Sequence, residues 1–226
     1  MTIKELVFED LHITEREVWR QMGYGETTPD DRVAKTTRQI IREVSPMVHP
    51  RFGYTVVSGE LLSNLLRVDN QTLHVGKTIA TQLKKSEAFA LFVATVGREF
   101  EQFQQKVSGS DDILHAFITD ALGSVMAEHC ADQLENHLQT SIDKLGWRHT
   151  NRFSPGYCHW PITDQPTLFA LLGEASCGVT LNESCLMSPI KSVSGIIGVG
   201  SQVEHKDYAC AFCNKADCMF RKRPTP

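Results

Sequence analysis

The sequence predicts an α+β fold, with a mixed or mainly antiparallel sheet flanked by helices, on three observations. Helical and strand-like patterns follow one another without a regular strand–helix–strand rhythm, which argues against a doubly wound parallel sheet. One apolar-striped segment, from about residue 111 to 145, is long enough to be the principal helix. Short glycine-bounded runs rich in β-branched and aromatic residues supply the strands.

Along the chain, Thr14-Glu15-Arg16-Glu17 has the form of a capping box, and Gly23 offers a stop, so a short first helix is expected to end near Met22. Thr28-Pro29-Asp30-Asp31 reads as a cap, a first-turn proline and dipole-matched acids; after it Val33, Thr37, Ile40, Ile41 and Val44 share one helical face, up to Ser45-Pro46. Phe52 to Ser58 alternates like a strand, Gly76 to Lys85 reads as a helix, and Ala88 to Val96 as an apolar strand. Gly97 turns the chain into a helix from about Arg98 to Val107, and Ser108-Gly109-Ser110 then precedes the long helix, which stops at Gly146. Further on, Thr163-Asp164 is expected to cap a helix to Leu172, and Val179 to Met187 and Ser192 to Val199 to be paired strands.

Composition narrows the function. A chain of 226 residues with 41% hydrophobic residues can bury a sizeable core, and we expect one compact domain over 1–204 with a Cys-rich appendage over 205–226. A formal charge of -4 provides no broad positive field for a polyanion, so nucleic acid is not an expected partner. No run of some twenty apolar residues and no secretory leader is present, which excludes a membrane partner and makes a cytoplasmic location the default. Seven cysteines, an odd number in a long chain, read as reduced thiols or metal ligands rather than a disulfide framework.

The most informative run is Arg152-Phe153-Ser154-Pro155-Gly156-Tyr157, followed by Leu181-Asn182-Glu183-Ser184 and Ser192-Val193-Ser194-Gly195. On a loop, the first run presents a planar guanidinium, a chain stiffened by proline, a glycine that admits a ligand against bare backbone, and an aromatic face. A solvated arginine and a tight turn whose tyrosine fills a core gap are the plainer readings of the same residues.

The order and wording of these runs resemble the activation domain of cobalamin-dependent methionine synthase, in its small stand-alone form, most strongly from Asp120 to Gly195. The resemblance implies that Arg152 holds the carboxylate of S-adenosylmethionine and that Ser154, Gly156 and Tyr157 lie against its adenosyl part. It also implies a carboxylate from the long helix, either Glu128 or, in an ungapped register, a position near Ser124, and a closing tyrosine, for which Tyr208 is nearest. This chain departs from the family at Cys158-His159-Trp160-Pro161, where the family often has Pro-Ala-Cys-Pro. The implied activity is reductive methylation of cobalamin on a corrinoid-binding methionine synthase subunit. The chain would then be a methyltransferase component, active only with that partner and an electron donor such as flavodoxin. An activator of another corrinoid methyltransferase and a non-catalytic, metal-stabilised binding module are the alternatives.

A second signal is Cys210-x-x-Cys213-x-x-x-x-Cys218 with His205 five residues upstream of Cys210. Three thiolates and an imidazole suit tetrahedral zinc, with an iron–sulfur cluster as the other metal reading and inert clustered thiols as the plain one. The spacing is not the Cys-x-x-x-Cys-x-x-Cys by which radical enzymes join a cluster to S-adenosylmethionine. The basic Arg221-Lys222-Arg223 reads as a solvated terminus or a contact for an acidic partner. His74-Val75-Gly76-Lys77-Thr78 ends like a phosphate loop, but Gln71 stands where the first glycine must be. Gly-x-Gly-x-x-Gly, His-Glu-x-x-His, Gly-x-Ser-x-Gly and Asp-x-His-x-x-Gly are absent, and His129 and His137 read as ordinary helix histidines.

Overall fold

The computed structural model of the chain describes residues 1–206. In chain order its elements are β1 (Thr2–Glu5), α1 (Glu15–Gln21), α2 (Asp31–Val44), β2 (Arg51–Val57), β3 (Glu60–Leu62), β4 (Leu65–Val68), β5 (Gln71–Leu73) and α3 (Gly76–Leu83). There follow β6 (Ala88–Thr95), α4 (Arg98–Ser108), α5 (Ile113–Ile142), β7 (Arg148–His149), α6 (Gln165–Leu172), β8 (Thr180–Leu181), β9 (Met187–Ser188) and β10 (Ser192–Gly200). The fold is α+β. Its main sheet has the order β1-β2-β6-β10-β7, accompanied by a three-stranded sheet β3-β4-β5 and the two-stranded β8-β9. β1 runs antiparallel to β2, and β7 to β10. β6, at the centre of the order, is buried at every residue, which is why its sequence Ala88 to Thr95 is an unbroken apolar run ending in one threonine rather than an alternation.

By contacts the chain divides into two compact units, of which the first comprises Met1–Thr55, Phe92–Leu138 and Leu172–Ser194. Here the capping box forms as read: the Thr14 hydroxyl accepts from Glu17 N, and the Glu17 carboxylate accepts from Thr14 N at 2.8 Å. The start of α2 lies two residues later than the sequence suggested. Asp30, not Thr28, is the cap, its carboxylate accepting from Val33 N at 2.9 Å. Val33, Thr37, Ile40 and Val44 are buried as the helical stripe requires. Asp112 caps α5 by accepting from His115 N at 3.0 Å, and the helix runs thirty residues. Two of the three histidines on α5 have these structural partners: His129 Nδ1 donates to the Leu11 carbonyl at 2.7 Å, and His137 Nδ1 lies 3.1 Å from the Tyr54 hydroxyl.

One expectation fails here. Residues 179–187 do not form one strand paired with β10; they fold on themselves as the β8–β9 hairpin, with Thr180 opposite Ser188 and Leu181 opposite Met187. The physical cause is Asn182, whose side-chain oxygen accepts from Ser184 N and Leu186 N at 2.9 Å each and closes the turn that the β-rich composition concealed.

The second unit comprises Val56–Leu91, Gln139–Leu171 and Gly195–Pro226, of which residues up to 206 are described. It holds α3, α6 and the β3-β4-β5 meander, whose two-residue connections carry Ser63 and Asp69 in left-handed conformation. α6 begins at Gln165, directly after a 3-10 turn over Ile162–Asp164, which puts Asp164 at the position before the helix. Its carboxylate is engaged elsewhere, in the loop described next.

Candidate functional site

The Arg152 loop begins as an extension of the main sheet's edge. Phe153 pairs with Ile196 of β10 through two backbone bonds, 3.0 Å from Phe153 N to the Ile196 carbonyl and 2.8 Å in return. The two motif runs that the sequence separates by some forty residues are thereby joined, since Ile196 directly follows Ser192-Val193-Ser194-Gly195. Beyond Phe153 the chain turns sharply. Tyr157 N donates to the Ser154 carbonyl at 3.3 Å, Gly156 N to the Trp160 carbonyl at 2.7 Å, and Trp160 N to the Tyr157 carbonyl at 2.9 Å. Gly156 takes φ +92, a left-handed value that favours glycine, and a side chain built there would meet only Ile162 Cδ1 at 3.6 Å. Cys158 and His159 also lie in the left-handed region, at φ 50 and 66, an unusual backbone held by its surroundings.

Those surroundings are a buried polar anchor that the sequence did not disclose. Trp160 is 1% exposed, and its indole N–H donates to Asp164 Oδ2 at 3.0 Å. The same carboxylate accepts from the His74 backbone N–H, and its Oδ1 stands 3.1 Å from His74 Nδ1. Two residues on, Gly76 at φ +76 lets α3 start against the loop: a Cβ there would lie 3.1 Å from the Cys158 carbonyl and 3.3 Å from that of His159. The incomplete phosphate-loop pattern at 74–78 is therefore a brace for the loop.

Of the residues expected to contact a ligand, Arg152 and Ser154 are half-buried, and Gly156 and Tyr157 are exposed, Tyr157 to 71%. All four lie within the six residues 152–157. Glu128 is exposed on α5 in the first unit. The alternative position, Ser124, accepts from Lys191 Nζ at 2.9 Å. Tyr208, Cys210, Cys213 and Cys218 lie outside the described residues. A groove of about 440 Å³ in the second unit is lined by Gln139, Arg148, His149, Glu204 and His205, and none of the expected loop residues lines it.

Cys130, Cys177 and Cys185 are free thiols. Burial pushes the Cys130 thiol up to about 12 and Cys177 to about 11, which leaves both protonated and chemically quiet. Among the described residues no three His, Cys, Asp or Glu side chains stand close enough to hold a metal ion, and no helix is long and apolar enough to cross a membrane.

Residues 67–223 match the family described as vitamin B12 dependent methionine synthase, activation domain, and the chain belongs to that family. Among solved structures it is similar to a crystal structure of the MetH reactivation domain bound to AdoHcy, with a TM-score of 0.66 and 17% identity over 92% of this chain and 81% of that one. At that identity the likeness is one of fold.

Proposed function

We propose that the chain binds S-adenosylmethionine on the Arg152 loop and supports reductive methylation of cobalamin carried by a partner, a corrinoid-binding methionine synthase subunit. The observation that carries this reading is membership of the activation-domain family over residues that include the whole Arg152 to Tyr157 run. The residues suit the ligand. A planar five-donor guanidinium grips both oxygens of an amino-acid carboxylate, and a left-handed Gly156 with open space before it lets backbone approach an adenosyl group. Glu128 and Tyr208 are the proposed further contacts, to the ammonium or ribose and to the closed side of the ligand. That the structural neighbour is bound to AdoHcy supports the same ligand class.

S-adenosylmethionine supplies an electrophilic methyl group. This chain's residues bind and orient, a contribution worth up to roughly 7–11 kcal/mol of barrier when two reactants are held in line. The electron comes from a separate donor such as flavodoxin. On this reading residues 1–204 are the activation-like body, and 205–226 are an appendage whose Cys210, Cys213, Cys218 and His205 hold zinc or an iron–sulfur cluster, in a cytoplasmic protein.

Equilibrium titration of S-adenosylmethionine tests the assignment. Arg152→Ala is expected to weaken binding by about thirtyfold or more, the equivalent of losing a partly buried charge-assisted contact of about 2–5 kcal/mol. Arg152→Lys, which keeps the charge without the fork, is expected to fall between. Equal affinity in wild type and Arg152→Ala, or no binding to either, overturns the reading.

A further inference from the structure

From Asn70 to Ser86 the sequence carries three lysines and no acid, in a chain whose 27 acidic residues outnumber its 23 basic ones. The structure gathers those lysines on one face. α3 buries Gly76, Ile79, Ala80 and Leu83 and exposes Lys77, Thr81, Lys84 and Lys85, which follow one another at i, i+4, i+7 and i+8. A fourth lysine joins them within the second unit: Lys206 Nζ donates to Gln82 Oε1 at 3.3 Å, and its backbone makes two bonds with the Asn151 side chain, at 2.7 and 2.9 Å. Lys77, Lys84 and Lys85 make no ion pair among the described residues. The next acid along the chain, Glu87, has Oε1 engaged by Ser201 N and Oγ at 2.6 and 2.7 Å. Helix stability accounts for part of this pattern only. Lys84 and Lys85 suit the negative C-terminal end of the helix dipole, whereas Lys77 stands in a first turn that has no acid, where the dipole disfavours a cation.

We propose that the exposed face of α3 docks an acidic protein, one that presents three or four carboxylates over roughly 12 Å, the length of an eight-residue helix. Because α3 begins at Gly76, where a Cβ would lie 3.1 and 3.3 Å from the carbonyls of Cys158 and His159, the partner is seated beside the Arg152 loop. A protein fits this face better than other polyanions. It offers no large apolar or aromatic side chain to enter a membrane or to stack on a base. Its cations are all lysines, compact charges without the guanidinium fork that suits phosphate. The chain's net charge of -4 repels an extended polyanion that runs past the patch.

The full chain is titrated with a short fluorescent polyglutamate peptide, by anisotropy, at about 20 and 200 mM NaCl, on either side of the salt at which charges are screened over about 10 Å. Wild type is expected to bind at the lower salt and to lose most of that binding at the higher. The triple variant Lys77→Gln, Lys84→Gln, Lys85→Gln, whose glutamines keep the helix propensity, is expected to bind at least about tenfold more weakly. The triple variant Lys35→Gln, Lys106→Gln, Lys144→Gln, which removes three exposed lysines elsewhere, is expected to match wild type. The titration contains no S-adenosylmethionine, so its outcome is separate from that of the Arg152→Ala experiment. Absence of binding by wild type, or an equal loss in the two triple variants, overturns the inference. So does binding that survives in the α3 variant and disappears when Arg221, Lys222 and Arg223 are changed to glutamine. Anionic phospholipid vesicles or a single-stranded oligonucleotide bound through the same lysines as tightly as polyglutamate overturn the choice of a protein.

Discussion

The Arg152 loop and the Asn182 hairpin carry neighbouring parts of one family signature and are built on opposite plans. The hairpin is local: Asn182 closes it with bonds to residues two and four positions on. The loop is held from afar, by an Asp164 carboxylate that collects a tryptophan indole four residues back and both N–H groups of a histidine ninety residues back. A turn closed by its own side chain folds wherever it is placed. A turn holding two consecutive non-glycine residues at positive φ persists only where the rest of the fold compels it. Such positioning from a distance suits a loop proposed to hold a ligand, whereas the hairpin's bonds specify its own turn.

The sharpest way to break this contrast is at Asp164. Asp164→Ala leaves the buried Trp160 indole without an acceptor and removes one for His74, and is expected to cost about 2–4 kcal/mol. In a chain of this length that lowers Tm by roughly 5–15 °C. Asp164→Asn, which keeps one accepting oxygen, is expected to recover part of the loss. S-adenosylmethionine affinity should fall in Asp164→Ala even though Arg152 is untouched. An unchanged melting curve refutes the anchor.

Gly76 comes next. Gly76→Ala forces a side chain into the left-handed region and sets its Cβ 3.1 Å from the Cys158 carbonyl, for an expected cost of about 1–2 kcal/mol by thermal or urea unfolding. Without this strain, alanine in the first turn of α3 would be stabilising, so the sign decides. The hairpin should be more forgiving. Asn182→Ala is expected to cost about 0.5–1 kcal/mol, because its turn is exposed and water replaces the lost bonds, and to leave ligand affinity unchanged.

Much of this fold was legible in the sequence wherever the determinant was local. Thr14 with Glu17, the glycine at 146 that ends the long helical segment, and the apolar run of β6 act over a few residues, and the structure follows them. The three-stranded sheet is not legible in the sequence because its strands are three or four residues long. Its two-residue turns, Ser63-Asn64 and Asp69-Asn70, were nevertheless the available signal. The site divided along the same line. The consecutive Arg152 to Tyr157 turn could be read from residue types and the family resemblance. Trp160, Asp164, His74 and Gly76 could not, since nothing in one sequence couples positions ninety residues apart. Asp164 stands just before α6, where its type reads as a cap, and its carboxylate serves Trp160 and His74.

The smallest expected effect is a pH dependence that tells the two units apart. Burial, with the nearby Lys4 charge, holds His137 below the ordinary histidine range, so the folded first unit keeps it neutral beside Tyr54. A depressed folded pKa means that the unfolded chain binds more protons as pH falls below about 6.5. The stability contributed by neutral His137 is therefore complete above that value and is lost as pH drops toward the folded pKa. Unfolding of wild type and His137→Gln, compared from pH 7.5 to 5.5, should show a steeper loss in wild type. The bonds to Asp164 belong to the second unit, and the effect of Asp164→Ala should be the same in the His137→Gln background at either pH. A difference would mean that the loop's anchoring is coupled to the long helix, which would replace the contrast between a self-closed hairpin and a remotely held loop with a single cooperative system.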